Sequence, residues 1–208
     1  MKIKTVCFAV ALTISPAIVL AQFSLPGLSS KAPAGAPDLG AQQSQIVALY
    51  AAADTDVLTA DSIMADALGL KDASAQLKAA AAAIGNGATE GNMKAAEAAE
   101  SAFAAARQDA MNKDSGKLDA ASKEKFATAF IPLTKGVVEY AAMSKPVSDF
   151  ATGLKSAPLM QLPKLQSGAY IATHLPTSVK NLHDTLQSAV AFAKSNDIPG
   201  PADATGAM

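Results

Sequence analysis

This 208-residue sequence predicts an all-α fold, an antiparallel bundle of four to five amphipathic helices, two of them kinked or broken at prolines. Three observations carry that reading. Alanine, the best intrinsic helix former, supplies 22 of the 56 residues from Ala51 to Ala106. Apolar side chains recur at steps of three and four, which places them on one face of a helix. Val, Ile and Thr never form the alternating runs that a half-buried strand requires.

In the first helix Ile46, Tyr50, Ala53, Val57, Ala60, Met64 and Leu68 share a face, and Gly69 can end the helix in the left-handed conformation. A second, shorter helix should run from about Asp72 to Ile84 and stop at Gly85-Asn86-Gly87. Thr89 is placed to cap a third, with Glu90 near its positive end, and this helix should continue to about Lys113.

The fourth segment carries Phe126, Phe130, Leu133, Val137, Tyr140, Ser144, Val147, Ala151 and Leu154 in alternating steps of four and three. Pro132 and Pro146 lie in that register, where an interior proline loses one backbone bond, so kinks or short breaks are expected. A fifth segment, about Pro158 to Ser195, places Leu165, Gly168, Ala172, Leu175, Val179, Leu182, Leu186, Ala189 and Ala193 on a common face, with Leu175-Pro176-Thr177 expected to divide it. Alanine faces bury little area each, so Phe103, Phe126, Phe130, Phe150 and Phe192 should dominate the core.

Residues 1–21 give an address. Lys2 and Lys4 precede an uncharged run from Thr5 to Leu20, and Val19-Leu20-Ala21 offers small residues where a signal peptidase cuts. The run is too short for a membrane span, which needs roughly 20 apolar residues, so cleavage after Ala21 and release to the periplasm are expected, with secretion to the medium as the alternative. Residues 22–40, with Pro26, Pro33 and Pro37 among glycines, read as a flexible lead-in. The domain should then occupy residues 41–198, and residues 199–208 read as a disordered tail. No later uncharged stretch is long and apolar enough to serve as a transmembrane anchor.

Composition narrows the chemistry. Cys7, the sole cysteine, lies inside the leader, so the mature chain has no disulfide, no thiolate metal ligand and no cysteine-attached haem. The whole chain carries 17 basic and 18 acidic residues, and no cluster of Lys and Arg marks a nucleic-acid footprint. His174 and His183 are nine positions apart, which is not the spacing of a helical metal pair, and Met64, Met93, Met111, Met143 and Met160 read as gap-filling core rather than haem ligands. No metal and no cofactor is therefore expected. No serine stands in Gly-x-Ser-x-Gly, and Ser122-Lys123 and Ser144-Lys145 are adjacent pairs, so an enzyme is disfavoured.

One row of polar side chains stands out. Gln166, Tyr170 and His174 follow each other at i, i+4 and i+8, and form the candidate ligand-binding set ahead of Pro176. The acids Asp54, Asp56, Asp61, Asp66 and Asp72 read as a solvated helix face that could dock a protein partner, and Glu97 and Glu100 as exposed residues among alanines. Lys113, Lys117, Lys123 and Lys125 make the later chain more basic. The sequence thus favours a non-enzymatic, protein-interacting or chaperone-like envelope component, with a small-ligand-binding bundle as the alternative.

Overall fold

A computed structural model of the chain describes residues 38–114 and 118–200, all within one compact unit. The leader at 1–21, most of the lead-in and most of the tail lie outside the described residues. Within them the fold is all-α. The Asp38 side chain accepts hydrogen bonds from the backbone N–H groups of Gly40 and Ala41, at 3.0 and 3.1 Å, and so opens α1, Leu39–Ala67. Gly69 follows with φ +75°, and the Leu70 N–H donates to the Ala65 carbonyl at 2.8 Å, which closes the helix end through a left-handed residue as anticipated.

Helix α2 spans Lys71–Asn86, and α3 spans Glu90–Asp114. Thr89 caps α3 as expected, its Oγ1 accepting from the Asn92 N–H at 3.2 Å. The Asn92 side chain in turn donates to the carbonyls of Ala83 and Gly87, fastening the end of α2 to the start of α3. Asp119 caps α4, Ala120–Thr128, and after the single residue Ala129 the chain continues as α5, Phe130–Leu154.

The break at Ala129 places Pro132 in the first turn of α5, where its missing N–H has no intrahelical partner to lose. Pro146 lies inside α5. A 3₁₀ turn at Leu162–Lys164 leads into α6, Gln166–Ser195, which runs through Pro176 as one helix. The expected division at Leu175-Pro176-Thr177 is absent. Local side chains bond backbone carbonyls around that point: Thr173 Oγ1 donates to Ala169, Ser178 Oγ to His174, and His174 Nδ1 to Tyr170, at 2.9, 3.3 and 2.9 Å.

Helices consecutive in the chain alternate in direction, apart from the collinear pair α4 and α5. Lys135, Tyr140 and Gly153 of α5 meet Asp56, Asp54 and Leu39 of α1, so numbers rise on one helix as they fall on the other. Glu97 with Tyr170 and Arg107 with Thr185 show that α3 and α6 run in the same direction. Helix α1 is central and is buried on two flanks. All seven residues of its expected stripe are buried, and so are Asp54, Leu58, Asp61, Ser62 and Ala65.

The stripe of α5 departs from expectation. After Leu133 the buried positions are Gly136, Tyr140, Met143, Val147, Phe150 and Gly153, displaced by about one residue from Val137, Ser144, Ala151 and Leu154. The close approach of α1 is the reason, because a Cβ at Gly136 would lie 2.7 Å from Val57 Cγ2 and 3.2 Å from the Ala53 carbonyl oxygen. Val57 is β-branched and stiff, and the carbonyl belongs to a helix backbone, so neither yields readily. Gly136→Ala should therefore lower stability by about 1–3 kcal/mol despite the better helix propensity of alanine. A urea unfolding midpoint at or above that of the parent would show that α1 and α5 can separate without loss.

Candidate functional site

Three polar rows face one another where the co-directional helices α1, α3 and α6 meet. On α1, Asp54 and Asp61 are seven residues apart and so share a face. On α3, Glu97, Glu100, Ala104 and Arg107 follow at steps of three and four, and on α6 His174, Ser178, Asn181 and Thr185 do the same. Most of these side chains, together with Tyr140 of α5, line a cavity of about 510 Å³. Exposed Ser101 and Ala104 of α3 and Thr177, Asn181 and Asp184 of α6 form its rim, so the mouth lies between those two helices.

The buried charges are incompletely matched. Asp61 is 4% and Arg107 6% exposed, yet their closest approach, Nη1 to Oδ1, is 3.8 Å, beyond hydrogen-bond length. Arg107 donates through Nη2 to Thr185 Oγ1 at 3.2 Å and lies over the Phe103 ring, 5.4 Å from its centroid. Its Nε and Nη1, and Asp61 Oδ1, have no hydrogen-bond partner among the described residues. A buried unsatisfied polar group costs about 1–3 kcal/mol, more when charged. Deeper in, Tyr140 donates its hydroxyl hydrogen to Asp54 Oδ1 at 2.9 Å, and Asp54 Oδ2 is also unpartnered.

These surroundings move the titrations. Burial pushes Asp61 up to about 7, with Arg107 pulling the other way. Burial also raises Asp54, against the bond from Tyr140, and the charges of Glu97 and Asp61 raise it further. Glu100 is held well above the usual carboxylate range by burial and then by Asp54, Asp61 and Glu97. Burial lowers the affinity of the Arg107 guanidinium for its proton, and Asp61 opposes that.

The candidate row divides. Tyr170 is buried and donates to Glu97 Oε2 at 2.6 Å, and its ring stacks on that of His174 with centroids 4.0 Å apart. His174 lines the cavity. Its Nδ1 must carry a hydrogen to bond the Tyr170 carbonyl, so in the neutral ring Nε2 is an acceptor. Gln166 is exposed and is not part of the cavity lining. His183 is exposed and bonds Gln187.

Two expectations are corrected. Asp54 and Asp61 are buried and do not belong to a solvated acidic face, and Glu97 and Glu100 are half-buried and line the cavity. The rest of the acidic run does lie at the surface: Asp56 pairs with Lys135, Asp66 with Lys71 and Lys125, and Asp72 is exposed. Among the described residues no group of three or more His, Cys, Asp and Glu side chains converges closely enough to hold a metal ion, and no helix is long and apolar enough to cross a membrane. Comparison of the chain with protein-family profiles, curated protein sequences and solved structures found no match.

Proposed function

We propose that this chain is an exported helical bundle that binds a small polar ligand in the cavity between α1, α3 and α6. One observation carries the reading: Asp61 and Arg107, which line the cavity, hold buried polar atoms, Asp61 Oδ1 and Arg107 Nε and Nη1, without hydrogen-bond partners among the described residues. Native structures pair nearly all such groups, and exceptions call for an occupant or a use. A volume of about 510 Å³ falls within the range of small-molecule sites. The leader at 1–21 supports a periplasmic location, where such a protein would meet solutes.

Binding is favoured over catalysis because Ser178, a hydroxyl beside His174, donates to its own helix backbone and not to a base. The protein-contact reading has a separate observation in Leu159 and Met160, 83% and 90% exposed between α5 and α6. The test is a thermal-shift screen of small polar compounds spanning cations, anions, zwitterions and neutral molecules, with native mass spectrometry of protein taken from its own host. A ligand at a hundred times its Kd should raise Tm by roughly 5–10 °C. Absence of any shift, together with a bare mass or only a macromolecular partner, would remove the ligand reading.

A further inference from the structure

Resting on that reading, we infer that the occupant is a small organic cation, a molecule bearing one or more protonated amines, held by Asp61, Glu97 and Glu100. The cavity wall presents three carboxyl groups, those of Asp61, Glu97 and Glu100, against one guanidinium, with Asp54 behind Tyr140 adding a fourth; Asp184 at the rim is paired with Lys180 at 2.7 Å. An anion there would find one guanidinium among several acids, and a neutral molecule would bring no counter-charge to their ionised forms. Asp61 Oδ1 is the decisive atom. It is deeply buried in a residue that lines the cavity, has no hydrogen-bond donor among the described residues, and at 3.8 Å from Arg107 Nη1 keeps an ion pair without a hydrogen bond. Glu97 is pre-positioned, since Tyr170 holds its Oε2 while the residue still faces the cavity. An ammonium supplies up to three N–H donors, which suits this set of acceptors.

A bound cation would also have a proton signature. The groups facing the acids are Tyr50, Asp54 and Asp61 on α1, Glu97, Glu100 and Arg107 on α3, Tyr140 on α5, and Tyr170, His174 and Asp184 with its partner Lys180 on α6. In the empty cavity Asp61 and Glu100 are raised mainly by burial. A positive ligand favours their ionised forms, so protons leave as it binds and affinity rises with pH between about 6 and 8.

The experiment is isothermal titration of the purified protein with a panel matched in size. Its cationic arm contains linear mono-, di- and triamines, including 1,4-diaminobutane. Its other arms are 4-aminobutanoate, succinate and 1,4-butanediol. At least one cation should bind ten-fold or more tighter than the zwitterion, the dianion and the diol, more tightly at pH 8 than at pH 6, and with proton release that scales with buffer ionisation heat. Glu100→Gln should weaken it ten-fold or more, and Asp61→Asn should act in the same direction. Asp149→Asn, which removes a charge on the exposed face of α5, should change affinity less than two-fold. Tighter binding of the zwitterion, dianion or diol would overturn the cation inference and leave a ligand site standing. Failure of the cations, with success of some other class in the broader thermal-shift screen, would do the same. Failure of every compound in both experiments would remove the ligand reading itself. Equal effects of Glu100→Gln and Asp149→Asn would reduce the cavity to a long-range charge effect and overturn the assignment.

Discussion

Phe126→Ala should lower the unfolding free energy by about 3–5 kcal/mol, read as a drop in urea midpoint at unchanged slope. Phe126 is fully buried at the end of α4, with ring centroids of Phe130 and Phe192 at 5.9 and 5.2 Å, so one side chain joins α4, α5 and α6. Truncation removes the transfer free energy of a ring and leaves a void that two neighbouring aromatics cannot fill without leaving their rotamers. The surrounding helices are rich in alanine, whose side chains are too short to collapse into such a space. A loss below about 1 kcal/mol would mean that α4 is not packed on α6 in this way. Phe126→Leu should recover much of the loss, because it restores most of the apolar volume.

Much of this packing was legible in the sequence because it is written in single-helix periodicity. The α1 row from Ile46 to Leu68, the Thr89 cap and the Gly69 terminus each depend on residues within one or two turns of one another. All three are found where the spacing puts them. What depends on the neighbour was harder to read. The stripe of α5 shifts toward Gly136 and Gly153 because α1 approaches there, and no pattern internal to α5 records that approach.

The cavity was less legible still, since its polar row on α1 lies beside an apolar stripe and reads like the solvent side of an amphipathic helix. A central helix has no solvent side at those positions. The available signal was matching periodicity in three segments: Asp54 with Asp61, Glu97 and Glu100 with Arg107, and Tyr170 and His174 with Asn181 and Thr185. One such row is unremarkable on a surface helix. Three of them, on helices that the alternating topology points the same way, are what bring unmatched charges together.

Stability of the ligand-free protein should fall by roughly 2–4 kcal/mol between pH 5 and pH 8, the reverse of the dependence produced by exposed paired carboxylates. Burial raises Asp61 from 3.8 to about 7, and Asp54 and Glu100 move in the same direction. A carboxyl whose folded value lies above its unfolded value holds its proton longer in the native state. Its contribution is therefore complete below the unfolded value, near 4, and is lost as pH rises through the folded value, near 7. Asp66, pulled down to about 2 by Lys125 and then Lys71, has the opposite sign, and its contribution disappears only as pH falls below 4. The plateau should accordingly lie near pH 4–5, and urea titrations at half-unit intervals would locate it. Asp54→Asn should flatten the slope above pH 5, because the amide oxygen still accepts from Tyr140 while the titrating charge is gone. Stability that rises steadily from pH 5 to pH 8 would show that these acids are solvated or already compensated in the native fold. A saturating cation should oppose the decline, since it favours the ionised carboxylates that the empty cavity disfavours. The pH profile of the empty protein and its change on binding thus test the same burial from opposite sides.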